Sequence, residues 1–371
     1  MICHNILKHG KDAAPKQLRK YYSSFKFSQI KINKAHQRKN IVKENLGFGQ
    51  YFTDHMLIID WNNQKGWSFP QITQYEPLSL SPAIKALHYA TSAFEGLKVI
   101  KGIDGTDNLF RADKHMERFK TSVERICLPT FDANELLSCI KELIRIDKEW
   151  IPKGKNEALY IRPFIFGSDP SLGVDISSEA KLCTILSPVG AYFKAGQTGV
   201  SLYADGRFVR AFEGGCGAFK LSANYGPTLY VQQLVRQKGC HSSLWLYGRE
   251  EYITEAGTMN IFIYWTNEHG ENELATPPLS GLILPGITRD SILEITRQWN
   301  EFKVTERDIT MVQLLKALKE NRLHAMFGTG TACVVSPVAE LVYKDMRYKV
   351  PCPDDPQSIT GRIHKALTDI Q

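Results

Sequence analysis

The apolar segments of this chain alternate between strand length and helix length, which limits the folds that it can adopt. Residues 158–166 are apolar, rich in aromatic side chains and too short for a typical helix, so they predict a buried strand. Residues 133–149 carry Leu and Ile at helical spacing, as at Leu136, Ile140 and Leu143. No apolar run approaches the length that spans a bilayer. We therefore expect a globular protein of mixed α+β class, with no membrane segment.

The same patterns predict further elements along the chain. Strands are expected near residues 55–59, 182–186, 200–203, 243–247, 259–265 and 332–335. Helices are expected near residues 83–93, 227–237 and 288–300, and Thr310 is predicted to cap another that runs to about Lys319.

The length of the chain predicts two domains, because 371 residues exceed what one hydrophobic core usually organises. Turn residues without periodicity in residues 187–196 place the boundary there. The predicted division is a basic, partly disordered leader (1–47), a small N-terminal domain (48–188), a linker (189–199) and a large C-terminal domain (200–371). A crevice between two such domains is a preferred place for small molecules to bind.

The positive charge is concentrated at the N-terminus. Residues 1–47 hold eleven of the 46 Lys and Arg but only two of the 39 Asp and Glu, so the rest is close to neutral. A nucleic-acid binder is therefore not favoured, although a basic leader alone could retain RNA. Two interpretations of the leader stay open: a mitochondrial presequence processed near Arg19, or a solvated disordered segment. The predicted location is accordingly mitochondrial or cytoplasmic.

An isolated lysine is the most informative chemical feature. Lys220 is the only charged residue between Gly214 and Val235, in a segment rich in small and apolar side chains. Burial in such surroundings disfavours the ammonium form and favours the neutral amine, which can attack a carbonyl. Lys220 is therefore a candidate Schiff-base lysine. The alternative is a lysine whose stem packs while its charged end reaches solvent.

An isolated carboxylate points to the same chemistry. Glu255 is the only charged residue in residues 253–265, beside Gly and Thr. A partly buried carboxylate needs a cationic partner, and the protonated pyridine nitrogen of pyridoxal phosphate is one, which must stay protonated for the ring to act as an electron sink. The alternative is an ordinary acid that ends a strand in a turn.

Two loops and one arginine complete the candidate site. Gly286 and Thr288 open a predicted helix, whose N-terminal backbone donors and Thr hydroxyl suit a phosphate, and residues 327–332 form a second small-residue loop with hydroxyls. Arg162 is the only charge in an apolar strand, where its planar guanidinium favours a carboxylate partner. An internal ion pair with Asp169 is the alternative.

Together these segments resemble the branched-chain aminotransferases of fold type IV, which are pyridoxal-phosphate enzymes. The likeness covers about residues 25–371 and rests on long motifs that occur in order. They are FTDHML (52–57), LHY (87–89), FEGLK (94–98), LYIRP (159–163), NYGPT (224–228), LWLYG (244–248), TEAGTMN (254–260) and LPGITR (284–289). The resemblance implies a smaller N-terminal and a larger C-terminal domain, with the cofactor at their interface.

The resemblance implies roles at the cofactor for the residues that match the motifs. Lys220 would form the Schiff base and shuttle protons, Glu255 would pair with the pyridine nitrogen, and Tyr225 would hydrogen-bond the phenolic oxygen. The other implied cofactor residues, mostly around the phosphate, are Arg118, Leu284, Gly286, Ile287, Thr288 and Thr331. The residues alone do not single out Arg118, because it lies with Arg125 in a charged helix that predicts a solvated face.

The resemblance also implies a substrate site shared by the two subunits of a homodimer. An apolar pocket for leucine, isoleucine or valine would be formed by Phe48, Phe94, Tyr160 and Tyr225, with the partner subunit's Tyr89, Leu172 and Val174 reaching in. Thr258 and the backbone at Ala332 would bind the α-carboxylate. Arg162 would receive the distal carboxylate of glutamate, so that one pocket accepts an apolar and an acidic substrate.

The implied reaction is reversible amino transfer from a branched-chain amino acid to 2-oxoglutarate, giving a branched 2-oxo acid and glutamate. A D-amino-acid aminotransferase or an aminodeoxychorismate lyase of the same fold is the nearest alternative, and the long aromatic N-terminal half argues against both. A metabolite-binding relative without activity is disfavoured, because every expected catalytic residue is present.

The cysteines predict free thiols. All eight are scattered without framework spacing, which suits a reducing compartment. Mammalian relatives carry Cys-x-x-Cys where this chain has Cys333 and Ser336, so we expect no disulfide between these positions.

Overall fold

The computed structural model describes residues 24–42, 44–154, 156–190 and 199–371, and two nine-stranded sheets organise this part of the chain. The N-terminal sheet contains β1 (Lys31–Ile32), β2 (His55–Asn62), β3 (Gly66–Trp67), β4 (Gln71–Gln74), β5 (Ser92–Phe94), β6 (Leu97–Lys101), β7 (Asp107–Leu109), β8 (Ala158–Gly167) and β9 (Glu179–Val189). Its order is β1-β4-β2-β9-β8-β6-β7, with β3 beside β2 and β5 beside β8. Apart from the parallel β1–β4 pair, the pairings are antiparallel.

The C-terminal sheet is mixed. It contains β10 (Val200–Ala204), β11 (Ser242–Tyr247), β12 (Tyr252–Ala256), β13 (Met259–Thr266), β14 (Asn272–Thr276), β15 (Lys303–Glu306), β16 (Leu323–Gly330), β17 (Val334–Tyr343) and β18 (Met346–Lys349). The order is β12-β11-β10-β17-β16-β13-β14-β15, with β18 beside β17 and a further β12–β13 pairing. Parallel pairs join β10 to β11 and β17, and β14 to β15.

Helices pack on both sheets. They are α1 (Lys85–Tyr89), α2 (Ala112–Arg125), α3 (Ala133–Ile146), α4 (Thr228–Gln237), α5 (Ile287–Trp299), α6 (Met311–Lys319) and α7 (Ile359–Ile370), with 3-10 turns at Phe27–Gln29, Lys148–Trp150 and Ser222–Asn224. The predicted cap of α6 is confirmed, since the Thr310 hydroxyl accepts from the Gln313 N–H at 3.1 Å and the Gln313 side chain accepts from the Thr310 N–H at 2.9 Å. These helices and sheets confirm the predicted mixed α+β class.

Each sheet has its own hydrophobic core. In the N-terminal half, Leu136 and Ile140 of α3 and Phe119 of α2 are fully buried against side chains of β2, β8 and β9. In the C-terminal sheet, successive residues of β13 face opposite sides, as a strand requires. Ile261 packs with α6, whereas Phe262 packs with α5 and α7. Both faces of this sheet are therefore covered by helices.

Two predicted elements are wrong in their extent. The helix expected at residues 83–93 is reduced to α1, because Ala90 takes a left-handed backbone (φ 51°) and the following residues form β5 against β8. The strand expected at residues 332–335 begins only at Val334, whose φ of 58° ends a turn formed by Thr331, Ala332 and Cys333. Both departures bring backbone to the site described below.

The predicted domain limits stay predictions. β9 ends at Val189 and β10 begins at Val200, but residues 191–198 of the predicted linker lie outside the described residues. Residues 1–23 and 43 of the predicted leader also lie outside them. In the described part of that segment, Phe25 is buried, with its ring 5.3 Å from that of Trp67. Across the residues described, no helix is long and apolar enough to cross a membrane.

An interruption between β5 and β6 prepares the site. Both strands pair with β8, but they leave Glu95 and Gly96 between them. Pro163 of β8 lies opposite Glu95, and its carbonyl accepts from the Glu95 N–H at 2.8 Å. As a proline it has no N–H to donate to the neighbouring strand. Local irregularities of this kind redirect side chains. Here the irregularity lies next to a large cavity.

Candidate active site

A cavity of about 670 Å³ lies between the two sheets, and it gathers most of the predicted site residues. Its N-terminal wall, formed by the residues before position 190, includes the predicted Phe48, Phe94, Arg118, Tyr160 and Arg162. Its C-terminal wall, formed by the residues after position 199, includes the predicted Lys220, Tyr225, Glu255, Thr258, Leu284, Gly286, Ile287, Thr288, Thr331 and Ala332. Residues that are distant in sequence therefore line one space.

Lys220 is held in place by its backbone. Its N–H donates to the Ser122 hydroxyl at 2.9 Å, and its carbonyl accepts from the Phe94 N–H at 3.1 Å. The Nζ atom lies 5.0 Å from the centre of the Phe94 ring and 5.9 Å from that of Tyr225. Burial lowers the pKa of Lys220 to about 8. The amine thus lies inside the cavity, as predicted, and the alternative in which it reaches outer solvent is not what the structure shows.

Glu255 already has a cationic partner within the chain. The Arg210 Nε atom lies 2.7 Å from Glu255 Oε2, and both side chains are buried. Glu255 Oε1 also accepts from the Leu284 N–H at 3.0 Å and from Asn260 Nδ2 at 3.2 Å. Burial raises the pKa of Glu255, and Arg210 opposes that rise. Sequence reasoning missed Arg210, because nothing in its local sequence marks it as the partner of a distant carboxylate.

The inner face of α2 carries polar side chains that approach the cavity. Arg118 lines the cavity with its side chain only 9% exposed, so the predicted solvated face is wrong at this position. Its Nε and Nη2 atoms donate to Glu95 at 2.8 and 2.6 Å, and Nη1 donates to the Pro285 carbonyl at 3.0 Å. Ser122, one turn further along, donates to the Arg118 carbonyl at 3.0 Å. This inward polar stripe was missed, although Glu95 lies within the quoted motif FEGLK.

The N-terminus of α5 faces the cavity beside the turn at residues 331–333. Gly286 precedes the helix without a side-chain cap, which leaves first-turn N–H groups of α5 for another acceptor. A side chain at Gly286 would collide with the Asn260 amide, so glycine is required there. Lys98, from β6 of the opposite sheet, donates to the Ala332 carbonyl at 2.9 Å and so holds the turn in place. Lys98 was missed as well.

Aromatic rings surround the second arginine of the N-terminal wall. The Arg162 guanidinium lies 4.8 Å from the Phe94 ring and 5.2 Å from the Tyr160 ring, and Nη2 donates to the Tyr160 hydroxyl at 2.9 Å. Phe48 stacks edge-on against Tyr160 at 4.9 Å. The alternative ion pair with Asp169 is wrong, because that carboxylate binds Lys85 at 2.8 Å. Arg162 makes no ion pair with the described residues.

Three predicted residues do not line this cavity. Tyr89, Leu172 and Val174 are 38%, 63% and 81% exposed, and the Tyr89 hydroxyl donates to the Leu172 carbonyl. In a single chain they form an exposed apolar group outside the cavity lining. Their expected place in the site of a partner subunit stays a prediction.

Comparison with known proteins decides the family. The model of the amino-transferase class IV family matches residues 92–341, which include β5, Arg118, Lys220, Glu255 and the start of α5. The chain belongs to the class IV aminotransferases. It is therefore a transaminase, as the resemblance implied.

Relatives and solved structures agree with this membership. The cytosolic branched-chain-amino-acid aminotransferase of Rattus norvegicus is 50% identical over 350 residues, covering 94% of this chain and 85% of that protein. The mitochondrial enzyme of the same organism is 48% identical, covering 94% and 90%. The structure of a branched-chain aminotransferase from the thermophilic archaeon Thermoproteus uzoniensis with norvaline has a TM-score of 0.67 and 25% identity, covering 85% of this chain and 94% of that one. This structural similarity confirms the predicted fold, which is fold type IV of the pyridoxal-phosphate enzymes.

Proposed function

We propose that this class IV aminotransferase uses pyridoxal phosphate to transfer the amino group of L-leucine, L-isoleucine or L-valine to 2-oxoglutarate. The observation that carries the proposal is the position of the Lys220 amine in the cavity between the N-terminal and C-terminal walls. Burial lowers the pKa of this amine to about 8. The names of the relatives support the substrate class.

The residues of the cavity fit the cofactor. Free N–H groups at the start of α5, the Thr288 and Thr331 hydroxyls and the remaining donors of Arg118 suit a phosphate dianion. Burial raises the pKa of Tyr225 to about 12, so its hydroxyl stays a donor for a phenolate oxygen. Glu255 is a buried carboxylate for a pyridinium nitrogen. When bound, the cofactor supplies the electron sink that stabilises a carbanion at the substrate Cα.

Lys220 moves the protons of the reaction. With the cofactor bound, the neutral Lys220 amine would take the proton from the substrate Cα in the first half-reaction and would return a proton to Cα in the second. The low pKa suits this work, because an amine that is close to half protonated near pH 8 both accepts and releases a proton readily. The rings of Phe94 and Tyr225 exclude water from one side of the amine.

The N-terminal wall supports the dual substrate specificity. Phe48, Phe94 and Tyr160 offer apolar surface to a branched side chain, and Arg162 offers a cation to the distal carboxylate of glutamate. Thr258 and Ala332 line the cavity, and the Thr258 side chain and the Ala332 backbone would take the α-carboxylate that both substrates share. We also propose a homodimer in which the partner subunit's Tyr89, Leu172 and Val174 complete the apolar pocket.

The test is an assay of the purified protein with L-leucine and 2-oxoglutarate, monitored by glutamate formation and by the visible absorbance of the bound cofactor. We expect turnover with L-leucine, L-isoleucine and L-valine. Turnover with D-alanine instead, or release of pyruvate from aminodeoxychorismate, would assign the chain to one of the alternative activities. A protein that stays colourless after incubation with pyridoxal phosphate contradicts the proposal.

A further inference from the structure

A buried carboxylate stands behind the arginine of the N-terminal wall. Glu95 is 0% exposed and lies outside the cavity lining. Besides its two bonds from Arg118, it accepts from the Gly96 N–H at 2.8 Å, and His115 Nδ1 lies 3.3 Å from the same oxygen. The Arg118 guanidinium holds the pKa of Glu95 well below its usual range, so the carboxylate is ionised. Glu95 therefore belongs to neither the substrate nor the cofactor surface.

A count of hydrogen-bond donors shows what this carboxylate does to Arg118. An arginine offers five N–H groups in one fixed plane. Glu95 takes one on Nε and one on Nη2, and the Pro285 carbonyl takes one on Nη1. One N–H on each terminal nitrogen is left, and Arg118 lines the cavity. Two such donors suit the oxygens of a phosphate.

The backbone places Glu95 in this position. The residue lies in the interruption between β5 and β6, opposite Pro163, where it leaves the regular pairing with β8. From there its side chain reaches α2, on which His115 and Arg118 stand one turn apart. Gly96 is required next to it, because a side chain there would collide with the Tyr160 ring. The sheet therefore fixes the position of the Glu95 carboxylate that binds Arg118.

The charge of Glu95 also acts on Lys220. Titratable and charged groups surround the amine from both walls, and they are Glu95, His115, Arg118, Arg162, Tyr225 and Glu255. Burial has the largest effect and lowers the pKa of Lys220; Glu95 and, more weakly, Glu255 raise it, whereas Arg118 and Arg162 lower it. If the N-terminal wall held no carboxylate, its two arginines would leave an excess of positive charge around the amine.

We propose that Glu95 is a positioning residue with two separable effects: its two bonds orient Arg118 toward the cofactor phosphate, and its negative charge offsets Arg118 beside the Lys220 amine. This inference rests on the proposed function, since it needs a phosphate-bearing cofactor in the cavity. It assigns to a residue outside the cavity a part in both cofactor affinity and lysine protonation.

The orienting effect is tested with Glu95→Asp, which keeps the charge but is one methylene too short to reach both Arg118 nitrogens. Full-length apoprotein is titrated with pyridoxal phosphate, and inorganic phosphate is used as a competitor. We expect the dissociation constants of both to rise by roughly tenfold, the effect of losing one charge-assisted bond. The matched control is Glu294→Asp, which alters the ion pair between Glu294 of α5 and Arg111, the residue before α2, and should leave both constants unchanged. Binding within about twofold of the wild-type chain for Glu95→Asp overturns the orienting effect.

The charge effect is tested with Glu95→Gln, which keeps the length and removes the charge. The pH titration of the visible absorbance of the cofactor-loaded protein should move to lower pH by roughly one unit, because a lost negative charge disfavours the protonated lysine nitrogen. Glu95→Asp should titrate like the wild-type chain, and a merely structural defect would not move the midpoint. An unmoved or raised midpoint in a folded Glu95→Gln protein overturns the charge effect.

The proposed function and the role of Glu95 fail in different ways. If the wild-type chain itself acquires no visible absorbance with pyridoxal phosphate, the proposed function is wrong. If the wild-type chain does so and both Glu95 variants match it, only the role of Glu95 is wrong. Should Glu95→Gln fail to fold because Arg118 is left unpaired, Glu95→Asp retains the ion pair and still decides the orienting effect by its dissociation constants.

Discussion

On the C-terminal wall of the cavity, the buried carboxylate of Glu255 has Arg210 at 2.7 Å, whereas on the N-terminal wall the Arg162 guanidinium has no carboxylate among the described residues. Arg162 instead lies against two aromatic rings and one phenol hydroxyl. A charge that the chain already neutralises suits a group that stays bound through every turnover. A charge that the chain leaves open suits a ligand that arrives and departs. We therefore propose that Glu255 on the C-terminal wall faces the cofactor and that Arg162 on the N-terminal wall faces the substrate.

Arg118 shows that the assignment to cofactor or substrate depends on whether a charge is already paired within the chain. It does not depend on which half of the sequence the residue belongs to. Arg118 lies on the N-terminal wall, yet Glu95 neutralises it as Arg210 neutralises Glu255. By the same reasoning we propose that it faces the cofactor, which leaves Arg162 as the arginine for an acidic substrate among the described lining residues. The following variants and measurements test this comparison.

The largest effect is expected from Lys220→Ala, which removes the group on which both walls converge. Turnover should fall by more than roughly 10³-fold, because Lys220 is the only amine in the cavity lining among the residues that the structure describes. The visible absorbance of the cofactor-bound lysine should vanish, while thermal unfolding should stay close to that of the wild-type chain. Lys238→Ala, which removes an exposed lysine paired with Asp345, is the control and should keep full activity. Appreciable turnover in Lys220→Ala contradicts the mechanism.

Arg210→Ala tests the claim that the C-terminal wall is neutralised within the chain. The substitution leaves Glu255 buried without its cation, so the free energy of unfolding should fall by roughly 3–5 kcal/mol. Chemical denaturation of the apoprotein measures this. Arg207→Ala breaks a neighbouring pair with Asp205 in which the arginine is 75% exposed, and it should leave the free energy of unfolding almost unchanged. Equal losses of unfolding free energy in the two variants would mean that the buried Arg210–Glu255 pair stabilises the fold no more than the exposed Arg207–Asp205 pair does.

Arg162→Ala tests the open charge of the N-terminal wall. We expect kcat/KM to fall by roughly 10²-fold with glutamate, which loses a charge-assisted partner for its distal carboxylate, and by less than about tenfold with leucine. The ratio of the two losses is the measurement, because it cancels any general damage to the site. Arg162→Lys should recover part of the glutamate activity, since it restores the charge without the planar fork. Losses of the same size for both substrates would remove Arg162 from substrate selection.

The parts of this site that sequence reasoning recovered are the ones whose signal is local. Lys220 and Glu255 are single charges in uncharged segments, and both line the cavity, where Glu255 is buried and Lys220 is half-buried. Arg118 and Arg210 could not be found this way, because each is defined by a carboxylate that only the tertiary fold brings near. Glu95 is 23 residues from Arg118, and the helix α2 that carries Arg118 looks solvated from its composition.

The fold shows the same limit. Long periodic segments such as α3 and β8 were predicted within a few residues, because side-chain spacing alone specifies which face is buried. The segment after α1 was mispredicted, because pairing of β5 with β8 overrides its helical pattern. The turn at residues 331–333 depends on a positive φ at Val334, which no β-branched residue favours and no local pattern announces. The three-dimensional context decided both.

The smallest effect is expected in the pH dependence of cofactor uptake. Only the neutral Lys220 amine attacks an aldehyde, and burial lowers its pKa from 10.5 to about 8. The rate at which apoprotein combines with pyridoxal phosphate should therefore rise about tenfold per pH unit below 8 and level off above it. If Lys220 were an ordinary exposed lysine, this rate would keep rising to about pH 10 and beyond. Because Arg162 lowers the pKa of Lys220, Arg162→Ala should move the plateau to higher pH. A plateau that stays in place would mean that the open charge of the N-terminal wall does not reach the reacting amine.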